Sequence, residues 1–114
     1  MFKITQGKGF HITFDNGYTV SAQFGYDDKC ENRLKCVMST SSAPNAPGSE
    51  RHKRILESAD CDVAIWDKDN VWVTPEIMEM LNIESHDIGS KYPSQGFVTA
   101  NEFAKIVACV ANLV

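Results

Sequence analysis

The chain has 114 residues, with 11 basic and 15 acidic side chains and a formal charge of −4. That length corresponds to a single domain, and surface scaling buries about two-thirds of it, so a core forms without metal or disulfide staples. Hydrophobic residues at 43% exclude wholesale disorder, no apolar run approaches the roughly 20 residues of a membrane span, and the acidic balance argues against a duplex nucleic acid partner.

The opening residues Met1-Phe2-Lys3-Ile4-Thr5-Gln6 lack the apolar stretch of an export signal. A cytoplasmic setting is therefore expected, with free thiols at Cys30, Cys36, Cys61 and Cys109. Cys30, Cys36, His52 and Cys61 have the ligand types of a zinc site. Their spacing does not fit, because five residues separate the first pair where zinc knuckles use two to four. No metal and no cofactor is expected.

Residues 9–24 carry the strongest local signal. Apolar and polar residues alternate on both sides of Asp15-Asn16-Gly17. A two-residue loop at Asn16-Gly17 would mix side-chain types on each face. A three-residue loop with Gly17 left-handed sets Phe14 against Tyr18, Ile12 against Val20 and Phe10 against Ala22, making one face wholly apolar. His11, Thr13, Thr19, Ser21 and Gln23 then form a polar face. Leu34 to Met38 is a candidate short strand. Ser39 to Gly48 reads as a flexible loop, and Ser49 can cap a short helix from Glu50 to about Ser58.

A second hairpin is expected at about 62–74, turning at Lys68-Asp69-Asn70, with Trp66 facing Trp72 and Ile65 facing Val73. Both faces of this ribbon are largely apolar, which predicts a central place in the sheet. Thr74 is a candidate cap for a short helix over about 75–81, with Pro75 at its first position and Asn82 ending it. Residues 82–95 read as a loop. Thr99 and Glu102 form a capping box for the last helix, about 100–112, and Val98 and Phe103 its hydrophobic staple. Its apolar stripe is Phe103, Ile106, Val107, Val110 and Val114. The predicted fold is α+β: an antiparallel sheet of two hairpins covered on one face by the C-terminal and short helices, in a single domain spanning 1–114.

No phosphate-binding glycine loop, paired-histidine motif or nucleophile elbow is present. Among candidate sites, His11 beside Thr13 and Ser21 is a proton carrier or ligand contact on one reading and an ordinary strand residue on the plainer one. Arg51-His52-Lys53-Arg54 is either a grip for a phosphate or acidic patch or a solvated helix face. Asp67-Lys68-Asp69-Asn70 resembles the start of a calcium loop, but turn chemistry explains it, since the motif's glycine and distal glutamate are missing. Trp66 and Trp72 are read first as core and second as interface anchors.

The blocks Gly9–Phe14, Asn16–Gly25 and Val63–Asp67, with a Thr-initiated last helix from Thr99, resemble small orphan accessory proteins encoded by tailed bacteriophages and prophages. The likeness covers about half the chain and brings no catalytic residues. It implies work in the bacterial host cytoplasm. The leading expectation is a non-catalytic module that binds and modulates a host protein. The alternatives are a nucleotide or small-ligand protein using His11 and residues 51–54, and a minor virion or assembly component. No membrane association is expected, and homo-oligomers are compatible with the sequence.

Overall fold

A computed structural model describes residues 1–5, 9–24, 28–30 and 58–114. Five strands form one antiparallel sheet in chain order: β1 (Phe2–Thr5), β2 (Gly9–Thr13), β3 (Thr19–Gln23), β4 (Asp60–Trp66) and β5 (Gln95–Thr99). Helix α1 (Thr74–Met80) follows β4, and α2 (Ala100–Ala111) follows β5. The fold is α+β, as the sequence pattern predicts. The readings placed on residues 34–38, 39–48 and 50–58 lie outside the described residues.

The first hairpin adopts the three-residue loop. Phe14 N–H donates to the Tyr18 carbonyl at 2.9 Å, Ile12 pairs with Val20 and Phe10 with Ala22, and Gly17 sits at φ 90°. Burial selects this register, because a slip of one residue would carry the apolar set to the other face. The turn is also tied to α2. The Asn16 side-chain amide donates to the carbonyls of Val110 and Leu113 at 2.8 and 2.9 Å, fastening the turn to the last turn of the helix and the residue beyond its cap. Its carbonyl oxygen accepts from Tyr18 N–H.

The second turn repeats this geometry. Asp67 N–H donates to Val71, Asn70 is left-handed at φ 62°, and the Asp67 carboxylate accepts from the amides of Asp69 and Val71. These turn bonds give Asp67 a role in the turn itself, and no metal-binding cluster occurs among the described residues. The predicted pairings Trp66–Trp72 and Ile65–Val73 are both present. The returning arm, however, is a single bridge rather than a strand. The chain enters α1 directly after Val73, and β5 takes the same edge of β4 further along, at Asp60 to Val63.

That early entry into the helix changes the role of Thr74. It does not cap α1: Val73 holds the cap position, with no side-chain bond to the helix amides. The Thr74 hydroxyl instead accepts from Ile65 N–H at 3.0 Å. In a continuing strand that amide would bond the Val73 carbonyl, and the hydroxyl stands in for it. Pro75 in the first turn and Asn82 at φ 56° match the predicted helix limits.

Cross-strand partners share a face, so Phe10, Val20, Ala22, Cys61, Val63, Ile65 and Val98 lie together on one side of the sheet. With Ile77 and Met78 of α1 and Ile106 and Val110 of α2, the buried members of this set make the core. The Phe10 ring meets Phe103 edge to face at 6.1 Å. The capping box is complete, with Thr99 and Glu102 bonded both ways. The predicted stripe fails at its last residue, since Val114 lies past the helix and is fully exposed. Strands β1 and β5 were not expected. Gln95, assigned to the 82–95 loop, begins β5, which carries a register shift against Cys61 and Val63 and a left-handed Phe97. Among the described residues no helix is long and apolar enough to cross a membrane.

Candidate functional site

The sheet face turned away from the helices carries Lys3 on β1, His11 and Thr13 on β2, Thr19, Ser21 and Gln23 on β3, and Ala64 and Trp66 on β4. Its small polar side chains bond to one another. Thr13 and Thr19 hydroxyls lie 2.9 Å apart, Thr5 donates to the Gln23 amide oxygen, and Gln23 donates to Ser21. The face is polar, as expected, but Thr19 and Ser21 on it are buried. His11 pairs with Ser21, Thr19 pairs with Trp66, and the His11 and Trp66 rings meet edge to face at 5.0 Å. The two rings therefore bridge β3 from both sides.

The ring row continues beyond the sheet. Trp66 stacks on Trp72 at 5.2 Å with planes 27° apart, and Trp72 meets Tyr92 edge to face at 5.4 Å. Such pairs contribute roughly 0.5–1.5 kcal/mol each beyond the area they bury, which biases the rings toward these orientations. Both tryptophans are half-buried, and Tyr92 is 57% exposed. They belong neither to the core nor to an ordinary strand surface.

Both ends of the row carry a cation. Lys3 is the β1 partner of His11, and the Lys91 ammonium lies 5.4 Å from the Tyr92 ring centre. Burial, and secondarily the Lys3 charge, hold the His11 imidazole below its usual pKa of 6.5. His11 is thus held toward the neutral form, as a contact residue with a donor and an acceptor.

Three of the sequence candidates, His11, Trp66 and Trp72, are brought together. Arg51, His52, Lys53 and Arg54 lie outside the described residues. Tyr92 was missed, because one aromatic residue in a Ser- and Pro-containing loop has no periodicity to mark it.

A cleft elsewhere on the molecule was also invisible in the sequence. With a volume of about 350 Å³, it opens between α1, the 82–86 turn, β5 and the start of α2, with Met78, Ile83, Glu84, His86, Phe97 and Glu102 among its walls. Buried Gln95 fixes one wall: its side chain accepts from His86 N–H at 3.1 Å and donates to the Glu84 carbonyl at 2.9 Å.

Elsewhere, Asp62 takes the Lys29 amide at 3.0 Å while its other oxygen is buried without a partner. Desolvation raises its pKa against the opposing pull of that bond. Burial pushes the Cys61 thiol up to about 12, with neighbouring Asp62 and Asp60 adding to the effect. Cys61 and Cys109 are free thiols, and Cys61 is unsuited to nucleophilic work. Searches against protein-family models, curated proteins and solved structures give no match for this chain.

Proposed function

We propose that this protein is a non-catalytic interaction module that binds a partner protein through the row His11–Trp66–Trp72–Tyr92. The observation that supports this reading is the row itself: three large aromatic side chains and an imidazole, interlocked and half-exposed, beside a sheet face whose other polar groups are bonded among themselves. Tryptophan and tyrosine dominate binding hot spots because they bury large area at small rotamer cost, and prior ring–ring packing lowers that cost further. With Lys3 and Lys91 at its ends, the row suits a partner surface that is apolar at its centre and carboxylate-bearing at its margins. The resemblance of the hairpin and Val63–Asp67 blocks to phage accessory proteins extends the proposal to a host protein of the bacterial cytoplasm, whose activity the module would modulate.

The test is affinity capture from bacterial lysate with the wild-type protein, a Trp72→Ser/Tyr92→Ser variant and a Lys105→Glu variant altered on exposed α2. A stoichiometric protein should be retained by wild type and Lys105→Glu and lost by the double variant. Equal retention by all three, or no stoichiometric protein at all, would refute the reading.

A further inference from the structure

We propose that the cleft between α1, β5 and the start of α2 binds a small organic cation, an ammonium or guanidinium group carried on a short aliphatic stem. The two carboxylates among its lining residues, Glu84 and Glu102, come from separate elements, and among the described residues neither lysine nor arginine lines it. Half-buried Ile83 supplies apolar surface beside these carboxylates, over the buried Met78 and Val98. Phe97 stands at the wall, 50% exposed, in the left-handed conformation that the β5 irregularity imposes. Two carboxylates, the Ile83 side chain and an exposed aromatic ring are complementary to a cationic head on a short alkyl stem, the ring adding cation–π attraction.

The site is built before any ligand arrives. The Gln95 side chain ties the main chain of residues 84–86 to β5. The Glu102 carboxylate is oriented by the Thr99 amide and hydroxyl, at 3.0 and 3.2 Å, both on Oε1, which leaves Oε2 as an acceptor. One opposing field is that of the α2 N-terminus, worth about half a positive charge. The other is that of Lys29, which packs on Gly96 but turns its ammonium toward Asp87 at 4.0 Å. The capping box already occupies the helix end, and two full carboxylates outweigh it.

Titration of the intact protein with a matched series tests the proposal: n-butylammonium, n-butylguanidinium, butan-1-ol and butyrate, followed by amide chemical shifts at residues 82–86 and 95–98. Both cations should bind about tenfold or more tightly than the alcohol, and butyrate should not bind. Glu84→Gln/Glu102→Gln should abolish the preference for cations while keeping the melting temperature, because glutamine preserves the capping box. Trp72→Ser should leave the titration unchanged, which separates this cleft from the aromatic row. Capped Gly-Lys-Gly and Gly-Arg-Gly peptides distinguish the ligand's source. Tighter binding than the free cations assigns the cleft to a partner's side chain and weaker binding to a free amine, and either result upholds the cationic class. Equal binding of alcohol and cation, cation affinity unaffected by the double variant, or no shifts at the cleft would overturn it.

Discussion

Thr74→Val removes one hydroxyl and keeps the volume, and it separates two roles a buried threonine could have. Thr74 is 1% exposed, and its oxygen is the acceptor for Ile65 N–H at 3.0 Å. Valine leaves that amide buried without a partner, a loss of about 1–3 kcal/mol, and recovers only part of it by burying a methyl group. A net loss of about 1–2 kcal/mol, or roughly 4–8 °C in melting temperature for a domain of this size, is expected in urea and thermal unfolding. Thr74→Ser keeps the hydroxyl and gives up one methyl, about 1 kcal/mol, so stability alone separates the variants poorly. Native-state hydrogen exchange separates them. The Ile65 amide should lose protection in Thr74→Val beyond the global change and keep it in Thr74→Ser. A valine variant as stable as wild type, with Ile65 protection unchanged, would refute the reasoning that the hydroxyl substitutes for a strand carbonyl.

Asn16→Ala should cost about 2–3 kcal/mol by urea denaturation, because it deletes two bonds to the α2 C-terminus and one to Tyr18. Asn16→Asp should cost more, since a carboxylate cannot donate to those carbonyls and faces the negative helix end. His11 should titrate below 6.5 by NMR, and Lys3→Gln should move it upward. Because the folded protein holds this proton less tightly than the unfolded chain, the His11 contribution to stability is complete above pH 6.5 and is lost as pH falls through the folded value. His11→Gln should remove that slope. Cys61, at about 12, is roughly one part in ten thousand thiolate at pH 8 and should resist iodoacetamide until the protein unfolds. With the folded value above the unfolded 9.0, its contribution to stability falls as pH rises from 9 toward 12.

The elements legible in the sequence are those where one local rule dominates. The alternation around Gly17 has only one register that buries Phe10, Val20 and Ala22 on a single side, and Thr99-x-x-Glu102 announces α2 whatever surrounds it. Thr74 misled because its residue type suits a cap, while the competing acceptor role depends on Ile65, nine residues away on another element. Strand β5 is five residues long, contains Gly96 and is kinked at Phe97, so neither its length nor its period marks it as a strand. Strand β1 has only four residues, three of them exposed, and its pairing with β2 is what makes it a strand.

The candidate site was legible in pieces. His11, Trp66 and Trp72 could each be named from the sequence, and the Trp66–Trp72 pairing follows from the second turn. The contact between His11 and Trp66 does not, because it requires β3 to pair with β4, a choice made between hairpins rather than within one. The cleft was hidden for a related reason. Its walls come from α1, an irregular turn, β5 and α2, and no segment carries more than a fragment of it.

Site-specific photo-crosslinking in bacterial cells puts the proposed recognition surface to its most direct trial. With p-benzoylphenylalanine at position 92, at the end of the aromatic row, irradiation should give one dominant covalent adduct with a bacterial protein, and the same residue at position 105, on the exposed side of α2, should give none. Adducts of equal yield from both positions, or from position 105 alone, would contradict the assignment of binding to the row.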